Sequence, residues 1–131
     1  MSRENVELAR RSVDAFNRRD LAALLALMDE DVRGAPPLAS MEGEYHGHAG
    51  ISRWWKSLFE GLPDFTIEIV EVRDLGDVTI AVLRNRAHGA ASATPVEQRL
   101  WIVGRWRNEK VVWWRTFGSE AEALEAVGLS E

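Results

Sequence analysis

This 131-residue chain contains no cysteine, which excludes disulfides, thiolate nucleophiles and cysteine-ligated zinc. No apolar run approaches the ~20 residues of a membrane span, so no membrane partner is expected. The opening residues Met1-Ser2-Arg3-Glu4-Asn5 lack the apolar core of a signal peptide, and the expected location is the cytoplasm. There is no repeat, low-complexity tract or linker, and the length suits one domain over 1–131 with a real core. Only His46, His48 and His88 have an ordinary pKa near neutrality, and Tyr45 is the single tyrosine. The His-x-His at 46–48 has no further His or Cys close by, so neither a metal site nor a cofactor is expected. A net charge of −5 argues against non-specific nucleic-acid binding.

What the chain does have is tryptophan. Its six residues fall in two short stretches, Trp54-Trp55 and the segment holding Trp101, Trp106, Trp113 and Trp114. Trp is large, amphipathic and seldom fully buried. Charge is also unevenly spread. Residues 78–118 carry seven basic groups against Glu97 and Glu109, a net +5, while the rest of the chain carries −10. A basic sheet in an acidic protein suits an anionic ligand, inter-subunit ion pairs or simply solvated strand edges.

Hydrophobic spacing organises the chain. Val6, Ala9, Val13 and Phe16 predict a helix over 3–18. Asp20 then looks like the N-cap of a second helix over 21–28, burying Leu21, Leu24, Leu25 and Met28. Asp29-Glu30-Asp31 reads as a charged turn, Val32-Arg33 as the start of a short strand, and 34–50 as an irregular loop rich in Gly and Pro. A third helix is predicted over about 50–60, with Ile51, Trp54, Trp55, Leu58 and Phe59 on its apolar side. The period then changes to two. Strands are predicted near 65–73, 78–90, 95–107 and 110–118, with a short helix or turn over 119–127. Strands this long usually bend, and Gly89 and Gly104 are candidate bend points.

If Asn108-Glu109 is a two-residue turn, 107 pairs with 110, 106 with 111, 104 with 113, 103 with 114 and 101 with 116. One face then carries Leu100, Ile102, Gly104, Trp106, Val111, Trp113, Arg115 and Phe117. The other carries Arg99, Trp101, Val103, Arg105, Val112, Trp114 and Thr116. Gly104 would give the Trp113 indole room. A four-residue loop at 91–94 adds Val82, Arg84, Arg86 and His88 to the second face, and a one-residue shift there moves them to the first. The mixed second face fits a pocket, in which apolar walls hold a few orienting polar groups. The apolar first face, through Leu100, Ile102, Trp106, Trp113 and Phe117, fits a homodimer interface.

This order of elements, an α+β arrangement of three helices on a strongly bent, mainly antiparallel sheet, resembles the nuclear-transport-factor-2-like cone fold. Within it the chain resembles the SnoaL-like polyketide cyclase group. The resemblance is carried by Ala15-Phe16-Asn17-Arg18-Arg19-Asp20-Leu21, Met28-Asp29-Glu30-Asp31-Val32, Tyr45-His46-Gly47-His48-Ala49-Gly50-Ile51, Gly61-Leu62-Pro63-Asp64-Phe65 and Ala123-Leu124-Glu125-Ala126-Val127-Gly128-Leu129. It implies a homodimer with an apolar pocket inside the cone, and it does not give the reaction. In the epoxide-hydrolase relatives the last strand reads Trp-Arg-Asp-Tyr. The similar stretch here, Trp114-Arg115-Thr116-Phe117, has Thr116 in place of the acid. The relatives' Arg-x-Asp is matched by Arg84-Asn85-Arg86, again without the acid. Epoxide hydrolysis needs such a carboxylate pair. Ketosteroid-isomerase-like chemistry needs an oxyanion donor and a base, and Tyr45 in a loop matches it poorly.

Two readings follow. In the first, the cone binds a small apolar or anionic molecule. Its walls are Phe16, Met28, Tyr45, Trp54, Trp55, Phe59, Trp101 and Trp114, and Arg84, Arg86, His88 and Thr116 are the polar lining. Any catalysis would be acid–base chemistry, with Asp31 or His46 carrying a proton and Arg99 stabilising an oxyanion. A buried Asp31 could serve as base, or it could be a turn acid. His48 could anchor the turn before the third helix. In the second reading the chain is a non-catalytic binding or dimerisation module whose cone is filled by Trp.

Overall fold

The computed structural model describes residues 2–35, 44–88 and 95–128. In chain order the elements are α1 (Ser2–Asn17), α2 (Leu21–Ala26), β1 (Met28–Ala35), β2 (Tyr45–His46), α3 (Gly47–Gly61), β3 (Thr66–Asp74), β4 (Val78–His88), β5 (Pro95–Arg107), β6 (Lys110–Phe117) and α4 (Glu120–Ala126). The strands form one curled, unclosed sheet in the order β2-β1-β6-β5-β4-β3. The β1–β6 pair is parallel and the other pairs are antiparallel. The predicted α+β cone is therefore the observed fold.

Local chemistry explains most boundaries. Arg19 ends α1 with a left-handed φ of 61°. The Asp20 carboxylate then caps α2 by accepting the Ala23 N–H at 3.0 Å. Ser119 caps α4 in the same way through the Glu122 N–H. The Arg19 guanidinium donates to the carbonyls of Phe16, Pro63 and Phe65, tying the α1–α2 corner to the segment before β3. Asn17 adds a two-way pairing with the peptide of Ile67, its Nδ2 donating to the carbonyl and its Oδ1 accepting the N–H. That satisfies backbone groups on the free side of edge strand β3.

The charged segment Asp29-Glu30-Asp31 is strand rather than turn. β1 begins at Met28, directly opposite Val111 of β6, and the Val111 N–H donates to Leu27. Pairing with a neighbouring strand overrides the local turn preference here. Asp29 keeps a trace of that preference, its carboxylate accepting the Asp31 N–H. β2 falls in the stretch predicted as loop. Gly89, one candidate bend, lies outside the described residues.

The β5–β6 hairpin contains the main departure from the predicted register. Asn108 and Glu109 form the two-residue turn, with φ of 52° and 65°, as the right-handed twist of a hairpin favours. Arg107 pairs with Lys110 and Trp106 with Val111. The register then shifts, Arg105 facing Trp113 and Gly104 facing Trp114. Val112 is the extra residue of a β-bulge. Every later residue of β6 is thereby displaced by one, so that Trp114 shares a face with Trp106 and Trp113 with Trp101, the reverse of the grouping the unbulged ladder predicts.

Two apolar layers result. On the helix-covered face, Trp106, Val111 and Trp114 pack with Leu8, Phe16, Leu24 and Ile51. On the opposite face Val78, Ile80 and Val103 pack under Ala123 of α4, with Trp101, Trp113, Phe117, Leu124 and Val127 alongside. The set Leu100, Ile102, Trp106, Trp113 and Phe117, predicted as one outer surface, is thus divided. Ile102 and Trp106 face the helices, and Trp113 and Phe117 face away.

Trp114 stands between two glycines, Gly34 of β1 and Gly104 of β5. Its indole leans over Gly34, where an added Cβ would lie 2.5 Å from the ring. A Cβ on Gly104 would approach nothing closer than 3.5 Å. Gly34, not Gly104, therefore makes room for an indole. Gly34→Ala should cost about 1–3 kcal/mol by overpacking, lowering Tm by roughly 4–12 °C in a thermal melt. Gly61→Ala, at a helix end with open space around it, should leave Tm unchanged or slightly higher. Equal melts for the two variants would contradict this packing.

Candidate functional site

The helix-covered face of the sheet carries an aromatic cluster assembled from four parts of the chain, α1, α3, β6 and Phe65 just before β3. α3 has two adjacent tryptophans, and helical spacing brings Phe59 four residues after Trp55, where their rings meet at 4.8 Å. α1 contributes Phe16, whose ring lies 5.3–6.2 Å from those of Trp54, Trp55, Phe59 and Phe65. β6 contributes Trp114, 5.3 Å from Trp54 and inclined at 57°. Such tilted and edge-on contacts suit the ring quadrupoles. Phe16 and Trp114 are buried, whereas Trp54, Trp55 and Phe59 are half-buried, so the cluster reaches solvent along α3. At its rim the Arg19 guanidinium lies 3.8 Å above the Phe59 ring. Burial holds the Arg19 pKa below its ordinary value, and nearby Asp64 pulls the other way.

Polar groups inside are few and neutral. Trp106 Nε1 donates to Thr79 Oγ1 at 3.0 Å, a closed buried pair. Trp114 Nε1 and Asn85 Oδ1 are buried with no hydrogen-bond partner. Asn85 is 8 % exposed and stands opposite Ile67 of β3, which packs on the aromatic cluster. The two atoms stand at different places on the sheet, since Trp114 is level with Gly104 and Thr79 and Asn85 lies six residues further along β4.

The predicted site residues divide into two groups. Phe16, Met28, Tyr45, Trp54, Trp55, Phe59 and Trp114 are brought together at the helix-covered face. Thr116, opposite Ile102, shares that face. Trp101, Arg99, Arg84 and Arg86 do not. Trp101 packs in the layer beneath α4. Arg84, opposite Arg99, pairs with Glu68 at 3.2 Å. Arg86 and Arg99 are exposed. The expectation that these strands' arginines line a pocket with Trp114 is overturned, because the Val112 bulge separates Trp114 from the Arg99–Trp101 face. His88 pairs with Pro95 at the end of β4, and its side chain lies outside the described residues.

The three residues suggested for proton transfer and oxyanion stabilisation do not join the cluster. Asp31 is exposed on β1, on the side away from buried Val32, so the buried-base expectation fails. His46 is exposed just before α3 and caps nothing with its side chain. His48 holds the turn, its Nε2 3.0 Å from the Met28 carbonyl. No group of three or more acidic or His residues suited to a metal occurs among the described residues. Two surface grooves, of about 480 and 520 Å³, flank the Asn108-Glu109 turn and lie outside the aromatic cluster.

Sequence reasoning missed Asn85, Gly34, Phe65 and Arg19. For Asn85 a signal existed. Alternation from Leu83 places Asn85 inward and Arg84 and Arg86 outward. The apolar run Val78 to Leu83, buried on both faces, hides that alternation.

A SnoaL-like domain model matches residues 9–114. Solved structures agree in fold. A nuclear-transport-factor-2-like protein of unknown function from Burkholderia pseudomallei is 22% identical, with a TM-score of 0.80 over 93% of this chain and 95% of that one. TerC, crystallised with polyporic acid, is 19% identical, with a TM-score of 0.80 over 96% and 97%. AclR, a putative hydroxylase from Streptomyces galilaeus, is 18% identical, with a TM-score of 0.75 over 98% of each chain. No curated protein matches the chain in sequence. No helix among the described residues is long and apolar enough to cross a membrane. With the domain model spanning most of its length, the chain belongs to the SnoaL-like family.

Proposed function

We propose that this SnoaL-like chain binds a small aromatic molecule within the cone, against the rings of Trp54, Trp55 and Trp114. The observation that carries this reading is the buried Trp114 indole N–H, which has no acceptor. Leaving such a donor unpaired costs about 1–3 kcal/mol, and native interiors seldom tolerate it. A ligand carbonyl or ether oxygen would supply the acceptor. The half-buried rings of α3 give the route in, since they can turn outward more cheaply than rings held on all sides.

Acid–base catalysis receives less support. The inward positions of β4 and β6, Thr79 to Asn85 and Val111 to Thr116, carry no carboxylate, and Asp31 and His46 are exposed. A second reading, a cone simply filled by its own rings, is favoured by the 5.3 Å Trp54–Trp114 contact. Titration with 2-acetylnaphthalene separates the two. Binding predicts saturable quenching of tryptophan fluorescence, weakened about tenfold in Trp114→Phe, which keeps a ring and loses the N–H. Arg99→Ala, on the far face, should leave it unchanged. An unquenched spectrum at ligand saturation would favour the filled cone.

We also propose a homodimer through the face bearing Trp101, Trp113 and Phe117, which stay only partly buried with α4 in place. Aromatic residues of this kind are enriched at subunit interfaces. Sedimentation at micromolar concentration should give a dimer, and Trp113→Glu should give a folded monomer. A wild-type monomer would refute the proposal.

A further inference from the structure

We infer that in the dimer each copy lays α4 against the bare end of the other copy's sheet, so that its Glu122 and Glu125 meet the partner subunit's Arg99. This rests on the dimer proposed above and adds how the two copies are set and which charges set them. The face concerned has two unlike ends. At one end α4 rests on Val78, Ile80 and Val103 through its buried Ala123. At the other, exposed Arg99 of β5 stands opposite Arg84 of β4, about 13 Å along the strand from Val103. Trp101 and Phe117, paired with each other, lie between the two ends. A helix is about 10 Å across, so the covered end stands a step above the bare one. A two-fold dimer uses the same patch on both copies. With the axis near Trp101, the raised end of each copy fills the step of the other.

Charge complementarity supports this setting. Like charges directly opposite on neighbouring strands repel. Glu68 relieves Arg84 at 3.2 Å, but the Arg99 guanidinium has no ion pair among the described residues. Burying it beside Trp101 without a carboxylate would leave a desolvated charge uncompensated. The partner must then bring the acid, and by symmetry that acid belongs to this same face of this same chain.

Most acids bordering the face are already held. Glu71 and Glu120 pair with Arg73, Asp77 with Arg105, and Glu44 with Arg115. Glu97, opposite Arg86, has its side chain outside the described residues. Glu122 and Glu125 remain. Both are exposed, and their carboxylates have no partner among the described residues. Three residues apart, they share one side of α4, while Ala123, Leu124 and Val127 pack toward the sheet. The outer side of α4 therefore offers two carboxylates to whatever lies over it.

The test is charge exchange, read by sedimentation velocity at micromolar concentration in low salt. Arg99→Glu sets acid against acid and should raise the dimer Kd at least tenfold. The chain carrying both Glu122→Arg and Glu125→Arg sets base against base and should do the same. Mixed, these two chains should form a heterodimer of about wild-type affinity, because both symmetry-related contacts then attract. Variants that leave the homodimer within twofold of wild type, or that fail to pair on mixing, would overturn this arrangement while a wild-type dimer still upheld the shared face. A wild-type monomer would overturn the dimer and this inference with it. The unaltered chain gives a second readout that needs no variant to fold. Its dimer should loosen severalfold between about 0.05 and 0.5 M salt, since exposed ion pairs are screened, and equal or tighter pairing at high salt would overturn the role of these charges.

Discussion

The rest of the structure depends on how the Trp114 indole packs against the backbone of Gly34. Two features of the chain make that contact available. Val112 is unpaired in the β5–β6 ladder, which turns Trp114 inward and Trp113 outward. Gly34 has no Cβ, so the ring can lie where a methyl group would stand 2.5 Å from it. With the indole seated there, Trp54 packs on its other side, α3 is fixed against the sheet, and Phe16 of α1 completes the ring cluster. Removing the bulge would send a buried 8 %-exposed Trp to the α4 side and bring its neighbour Trp113 in, because side chains alternate along a strand.

The same geometry separates chemistry by face. Apolar and neutral polar groups collect under the helices. Arginine and the remaining tryptophans collect on the other side, where Arg115 bonds Glu44 and lies 5.4 Å over Trp113, and Arg73 pairs with Glu120 of α4. Most of the basic character of residues 78–118 therefore lies on the surface opposite the cone, Lys110 excepted, whose Nζ donates to the Ala26 carbonyl of α2. These exposed ion pairs each contribute little to stability, typically 0–1 kcal/mol. Their placement bears more on what meets that surface than on holding the fold. The ligand proposed for the cone would meet instead a low-polarity space in which each hydrogen bond counts for more.

Much of this was legible in the residues. Helical spacing placed Phe16, Trp54, Trp55 and Phe59 on core-facing sides, and the Asn108-Glu109 turn set the hairpin. The ladder was legible only as far as Trp106–Val111, because a bulge has no local signature when both faces of the hairpin are apolar and aromatic. With the bulge unread, Trp114 kept its expected place under the helices and Trp113 its place outside, but Arg84, Arg86, Arg99 and Trp101 were grouped with Trp114 in the pocket, and Ile102 and Trp106 with Trp113 on the outer face. Asp31 failed for a different reason. Its acidic run suits a turn, and only the parallel partner β6, distant in sequence, makes it strand. Gly34 and Asn85 gain their meaning from neighbours across strands, which spacing along one segment does not reveal.

The account turns on which of the two adjacent tryptophans faces the helices, and proton–proton NOE spectroscopy of the wild-type chain reads that directly. The predicted result is cross-peaks from the Trp114 indole to the Gly34 α-protons and to the Trp54 ring, with Trp113 showing none of them. The same cross-peaks assigned to Trp113, with Trp114 silent toward Gly34, would place the ladder in the unbulged register and contradict the account.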